Sequence, residues 1–96
     1  MATEGFTRVV KDAGFLPGEL AKLYGVSRQT IHCWRTVAPP REGSYTARMA
    51  TVITAALLSA IERKVLPFAA VSREVRAARI ARMARTLQKL TPAPAK

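Results

Sequence analysis

The sequence has few of the residues from which disulfides, metal sites and many catalytic centres are built. Its 96 residues include one cysteine, Cys33, and one histidine, His32. A lone cysteine closes no intrachain disulfide, and these two residues cannot supply the four ligands of a structural zinc site. The six acidic residues form no spaced set with a base or a nucleophile. We therefore expect no metal ion, no cofactor and no enzymatic activity.

Long apolar runs are also lacking. The longest weakly polar stretch, residues 49–61, is interrupted by Thr51, Thr54 and Ser59, whereas a membrane span needs about 20 apolar residues. The first residues have neither the basic region nor the apolar region of a secretory signal. We expect no membrane partner and an intracellular location.

Negative charge is scarce relative to positive charge. Sixteen Lys and Arg stand against six Asp and Glu, for a formal net charge of +10. This imbalance favours a polyanionic partner. The hydrophobic fraction of 49% is nevertheless enough for one small packed domain and too high for a disordered basic tail.

The apolar pattern predicts an all-α fold, because apolar residues recur at spacings of three and four and no segment alternates strictly. The predicted helices are Thr3–Ala13 ended by Gly14, Pro17–Tyr24 ended by Gly25, a third capped by Ser27 and ending before Pro39, a fourth capped by Ser44 and closed by Pro67, and a fifth capped by Ser72 and running to about Leu90. We divide the chain into a compact helix-turn-helix domain of about four helices at residues 1–66, a basic carboxy-terminal helix at 67–90 and a disordered tail at 91–96.

The segment 17–36, PGELAKLYGVSRQTIHCWRT, is typical of a helix-turn-helix. Ala21 is small where the third helix crosses the second, and Gly25 permits the left-handed conformation that reverses the chain. The apolar positions that lock the two helices together are Leu20, Val26, Ile31 and Trp34.

The third helix then directs polar side chains outward. Arginine donates two hydrogen bonds to guanine and glutamine bonds adenine in the same bidentate way, so Arg28 and Gln29 are the leading base-contacting residues. They stand at the amino-terminal end of the helix, which such motifs insert into the major groove. The full predicted base-contacting set is Arg28, Gln29, His32 and Cys33.

The stretch LAKLYGVSRQTIHCW resembles the Cro and C1 repressor type of helix-turn-helix domain of phage and bacterial regulators, and the resemblance extends over about residues 5 to 61. It implies a symmetric dimer on operator DNA in a bacterial cytoplasm or nucleoid, with the third helix in the major groove. Two positions depart from the family pattern. Pro17 stands where a polar side chain often touches phosphate, and Val37 replaces the glycine that commonly follows the third helix.

A second set of residues is predicted to contact the DNA backbone, which positions a protein without reading sequence. The alternative for its cations is a role in solubility alone. The set comprises Lys22, Ser27, Thr30, Arg35, Arg41 and Arg48.

The fifth helix carries arginines at every third position from 73 to 85, so they wind around the helix. Ile80, Met83, Leu87 and Leu90 share one face and are the predicted oligomerisation residues. Two alternatives stay open: this face packs on the chain's own core with the arginines solvated, or the arginines follow a nucleic-acid backbone.

These patterns together predict a sequence-specific double-stranded DNA-binding regulator that represses transcription by occlusion, as a homodimer or higher homo-oligomer. The alternative is a DNA-binding assembly protein of a virus or mobile element, such as a small packaging subunit or an excision factor. Oligomer mass separates the two, because a dimer favours the regulator and a ring favours packaging.

Overall fold

A computed structural model describes residues 3–90 of the chain, and every regular element in that range is a helix. The elements are α1 (Thr3–Asp12), α2 (Pro17–Tyr24), α3 (Arg28–Thr36), α4 (Tyr45–Glu62) and α5 (Arg73–Leu90). The predicted all-α fold is confirmed. None of these five helices combines the length and the apolar character that crossing a membrane requires.

The predicted serine caps are present at three helix starts. Ser27, Ser44 and Ser72 each accept a hydrogen bond from the amide three residues further on, at 3.1, 3.1 and 3.3 Å. Each cap satisfies one of the amides that have no partner within the first turn of a helix. The beginnings of α3, α4 and α5 are therefore set by local sequence.

The predicted glycine stops also hold. Gly14 and Gly25 have φ of 70° and 68°, in the left-handed region that glycine enters at little cost. Regular α1 ends at Asp12, one residue earlier than predicted, although the Ala13 amide still donates to the carbonyl of Val9 at 3.0 Å.

The prediction that Pro67 closes α4 is wrong, because the helix ends at Glu62. Lys64 takes a left-handed conformation with φ of 63°, and the next amide, that of Val65, donates to the carbonyl of Ala60 at 2.9 Å. This reversal turns Leu66 into the core, where it is 3% exposed. The chain leaves the helix before proline forces it to.

Helix α4 contacts α1, α2 and α5, and α2 contacts α3, α4 and α5, so these two helices connect the others. Three aromatic rings from different helices, Phe6, Tyr24 and Trp34, meet edge to face with centroids 5.6 to 5.8 Å apart. The Tyr24 hydroxyl lies 2.6 Å from Oγ1 of Thr54, a contact that links α2 to α4.

Helix α5 packs across α2 and α4 and belongs to the same core as the first four helices. Ile80 and Leu87 are 2% and 5% exposed. This corrects their predicted role as contacts to a second subunit, since α5 needs its apolar face to cover α2 and α4. Met83 is half-buried and Leu90 is 55% exposed, and both line an apolar groove of about 300 Å³ between α4 and α5. The tail predicted at 91–96 lies outside the described residues.

Candidate nucleic-acid interface

The turn between α2 and α3 sets the angle at which α3 leaves the core. The amides of Gly25 and Val26 both donate to the carbonyl of Ala21, the second at 3.0 Å. A Cβ on Gly25 would meet no atom within 4 Å. Glycine is required here for its positive φ and not for space, as the sequence predicts.

Buried residues fix the rotation of α3 about its own axis. Ile31 is fully buried and Trp34 is 6% exposed. The Trp34 ring packs edge to face on Phe6 of α1 and Tyr24 of α2, with both centroid distances 5.8 Å. Since these contacts hold one side of α3 in the core, its opposite side faces solvent.

The solvent side of α3 carries most of the predicted base-contacting residues. Arg28 and His32 are exposed, and Arg35 follows them at helical spacing, so the three side chains share one face. Gln29 is exposed and lies about 100° to one side of Arg28. Cys33 is only partly exposed. The structure brings Arg28, His32 and Arg35 together, with Gln29 beside them, and we call this set of four residues the α3 face.

The cations predicted to touch the DNA backbone are available for a partner. Within residues 5–90, all of them are exposed and none forms an ion pair: Lys22, Arg35, Arg41 and Arg48. The same holds for Arg28, which is predicted to contact bases. Arg8, by contrast, lies 3.5 Å from Asp12 and 3.8 Å from Glu62. The α3 face therefore has uncompensated positive charge.

The two ends of α3 adjoin different helices. Arg28 lies over Gly18 of α2, with Cδ 3.8 Å from where a Cβ on that glycine would stand. Arg35 lines a cavity of about 230 Å³ beside α1, together with Lys11. Sequence reasoning missed Lys11, because nothing in the pattern of α1 indicates which of its polar residues lies next to α3.

The other residues predicted to contact the DNA backbone lie at the start of α3, in the loop after it and in α4. Ser27 and Thr30 bond each other, with the hydroxyl oxygens 2.8 Å apart, while Ser27 caps the helix. Arg41 lies in the loop between α3 and α4, and Arg48 near the start of α4. The hydrogen bonds of Ser27 and Thr30 stabilise the amino-terminal end of α3.

The start of α2 is occupied by a contact that the sequence did not indicate. Glu19 accepts a hydrogen bond from the Leu16 amide at 2.8 Å, and Arg76 of α5 donates to both of its carboxylate oxygens at 2.7 Å. The hydrogen bonds from Arg76 lower the pKa of Glu19, against the opposing effect of partial burial. Arg76 also donates to the carbonyl of Gly14 at 2.7 Å. We call these contacts the α5 clamp.

Position 37, where Val37 departs from the repressor pattern, does not require glycine. Its φ and ψ of −112° and −69° are right-handed, and its amide donates to the carbonyl of Cys33 at 2.8 Å. The Ala38 amide donates to the same carbonyl at 3.1 Å, and the chain then enters the loop that precedes α4.

Neither a metal centre nor a spaced catalytic set stands out in the described part of the chain. No group of three or more His, Cys, Asp or Glu side chains is close enough there to hold a metal ion. Burial raises the pKa of Tyr24 to about 12, but this tyrosine is enclosed by core residues and touches no open site. Its shift is a property of the core.

No match was found for the chain among protein-family models, curated proteins or solved structures. The resemblance to repressor domains stays a prediction.

Proposed function

We propose that this protein is a sequence-specific double-stranded DNA-binding regulator that represses transcription by occlusion. The observation that carries the proposal is the α3 face. It consists of exposed, unpaired groups on a helix whose other side is held by Ile31 and Trp34. A helix presented in this way is the element that enters the major groove in helix-turn-helix proteins.

The side chains of the α3 face are suited to base edges. Arg28 donates to O6 and N7 of guanine, and Gln29 exchanges two hydrogen bonds with adenine. His32 lies one turn after Arg28 and reaches the next base along the groove. Cys33, partly exposed at the margin of the helix, makes only an apolar contact.

Phosphate contacts supply most of the affinity in this proposal. Lys22 on α2 and Arg35 at the end of α3 flank the groove-reading residues, and Arg41 in the loop before α4 and Arg48 in the first turn of α4 are further phosphate contacts. Neutralising phosphates releases counterions, so binding is fast, strong at low salt and steeply salt-dependent. Base contacts then convert non-specific binding into specific binding.

A two-fold operator requires two copies of the chain. Met83 and Leu90 remain accessible at the α4–α5 groove, whereas Ile80 and Leu87 are used internally. We place the contact between copies at Met83 and Leu90. Two recognition helices must then lie about 34 Å apart, one turn of DNA, or a multiple of it.

The test is selection from a randomised duplex library at near-physiological salt, followed by affinity measurements on the enriched site and on random duplex. Arg28→Ala and Gln29→Ala should each lose about 1–3 kcal/mol on the enriched site, with little change on random duplex. Arg8→Ala is the control, because Arg8 is already paired with Asp12 and Glu62.

Two results would contradict the proposal. Equal losses on both DNAs would mean that Arg28 and Gln29 touch only phosphate. Strong binding that leaves the library unselected, together with a ring of many subunits by mass, would instead favour a DNA-packaging protein.

A further inference from the structure

We propose that the groove between α2 and α5 binds a small amphipathic carboxylate, and that the bound ligand withdraws Arg28 from DNA. The α2–α5 groove is formed by the first two turns of α2 with the preceding Leu16, by Arg28 at the start of α3, and by Ala77 and Ile80 of α5. The regulatory half of this proposal rests on the proposed function. The binding half does not.

The size and lining of the groove suit a small molecule. Its volume is about 450 Å³, within the range of about 300 to 1,000 Å³ that ligand pockets occupy. Leu16, Pro17 and Ala77 supply apolar walls, and Leu16 is 64% exposed. Gly18 has no side chain to fill the space in front of Arg28. Covering these surfaces would remove apolar area from water.

The charge in the groove selects an anion. Lys22 and Arg28 line it, and neither forms an ion pair within residues 5–90. Glu19 also lines the groove, but both of its oxygens accept hydrogen bonds from Arg76 at 2.7 Å. The unpaired groups are thus two cations beside an apolar wall.

These two properties together specify the class of ligand. A carboxylate bonds the guanidinium of Arg28 in a bidentate manner and attracts the ammonium of Lys22. An attached aryl or alkyl body covers Leu16 and Ala77. A DNA phosphate would satisfy the charges but leave the apolar wall exposed, so it does not use the groove fully.

Arg28 cannot serve both partners at once. A ligand carboxylate in the groove holds the Arg28 guanidinium beside Gly18 of α2, whereas a guanine edge requires the side chain to extend outward from α3, and one side chain cannot take both positions. Ligand and DNA therefore oppose each other's binding, and the factor by which one weakens the other is reciprocal. The groove would make the regulator responsive to a metabolite acid.

The binding half is tested without DNA, by titrating the ¹⁵N-labelled protein with phenylacetate, octanoate and the neutral phenylacetamide at constant ionic strength. We expect the backbone amide resonances of Gly18, Lys22 and Ala77 to shift saturably with phenylacetate and with octanoate. Phenylacetamide should not shift them. Ala77→Phe fills the groove and should abolish the shifts. Ala78→Phe is the matched control, since Ala78 is exposed on the same helix outside the groove.

Three outcomes would overturn the ligand site. The first is equal shifts with phenylacetamide, which would show that charge is not recognised. The second is equal shifts with inorganic phosphate, which would show an adventitious anion only. The third is a response that neither saturates at tens of millimolar nor changes in Ala77→Phe.

The regulatory half is tested on the enriched DNA site. Saturating phenylacetate should weaken DNA binding about fivefold or more in the wild type and leave Ala77→Phe unaffected. Ligand binding with unchanged DNA affinity would overturn the regulatory half alone. If the protein selects no DNA at all, the proposed function fails, and the titration still decides whether the groove binds carboxylates.

Discussion

At the scale of single residues, the contact between Tyr24 and Thr54 shows how a polar pair stabilises an apolar core. Tyr24 is fully buried and Thr54 is 5% exposed, and their oxygens lie 2.6 Å apart. Leaving a buried hydroxyl unpaired lowers the stability of a protein by more than one hydrogen bond raises it. Each of these two hydroxyls therefore matters mainly as the partner of the other.

Tyr24→Phe should lower the free energy of unfolding by about 1–2 kcal/mol, because it leaves the Thr54 hydroxyl buried without its partner. Adding Thr54→Val should recover most of that loss, since both polar atoms are then gone. Chemical denaturation of the two single variants and the double variant measures this. Strictly additive losses would show that the two hydroxyls do not depend on each other.

Arg28 is the residue whose role depends most on its surroundings. Sequence identifies it as an exposed arginine at the start of α3, and this much is confirmed. Its position over Gly18, beside α5, follows from packing between residues far apart in the chain. No local pattern predicts the α2–α5 groove, because Ala77 and Ile80 of α5, far away in the sequence, complete its wall.

At the scale of helices, the α5 clamp decides where the carboxy-terminal helix lies. Arg76 joins Glu19 and the Gly14 carbonyl. The guanidinium carbons of Arg76 and Arg79 each lie over the Phe68 ring, 5.7 Å from its centroid. The start of α5 is thereby attached to the loop before α2, which keeps α5 against the helix-turn-helix.

Glu19→Gln should destabilise the protein by about 1–2 kcal/mol at neutral pH, because it removes the charge from the hydrogen bonds with Arg76. The pKa of Glu19 is lowered from its ordinary value of 4.5. Its contribution is therefore full above pH 4.5 and is lost as pH falls through the lowered value. The difference in stability between wild type and Glu19→Gln should close in acid.

Thermal denaturation between pH 3 and pH 7 measures that difference, with Glu42→Gln as the control. Glu42 lies exposed in the loop before α4 and forms no ion pair in the described part of the chain. A gap between wild type and Glu19→Gln that stays constant down to pH 3 would contradict the assigned charge interaction.

Helix starts were more predictable than helix ends. Ser27, Ser44 and Ser72 act as caps through a hydrogen bond within their own first turn, which sequence alone specifies. The end of α4 depends on Lys64 adopting a left-handed conformation. Lysine gives no signal for that conformation, which here accompanies the burial of Leu66.

At the scale of the whole molecule, the distribution of paired and unpaired cations matters more than the net charge of +10. Arg8 and Arg76 are compensated by acidic side chains of the chain itself. Lys22 on α2 and Arg35 on α3 are not compensated by any described residue. The unpaired cations are the ones expected to release counterions from DNA.

Lys22→Gln and Arg35→Gln should each reduce the slope of log K against log salt concentration by about 0.9, if each neutralises one phosphate. Arg8→Gln, which removes the same charge from a paired site, should leave the slope unchanged. Fluorescence anisotropy on a random duplex at several salt concentrations measures the three slopes. Equal changes for all three variants would mean that only total charge matters.

The sequence by itself determined the all-α class, most helix boundaries and the exposed polar residues of α3, because helical periodicity, serine caps and glycine stops act within a few residues of each other. Tertiary structure alone decided the course of α5. Its face at Ile80 and Leu87 is buried in the chain's own core, and Arg76 reaches Glu19 across 57 positions of sequence. Packing between distant segments also places Arg28 in the α2–α5 groove, since a groove between two helices exists only once they have packed.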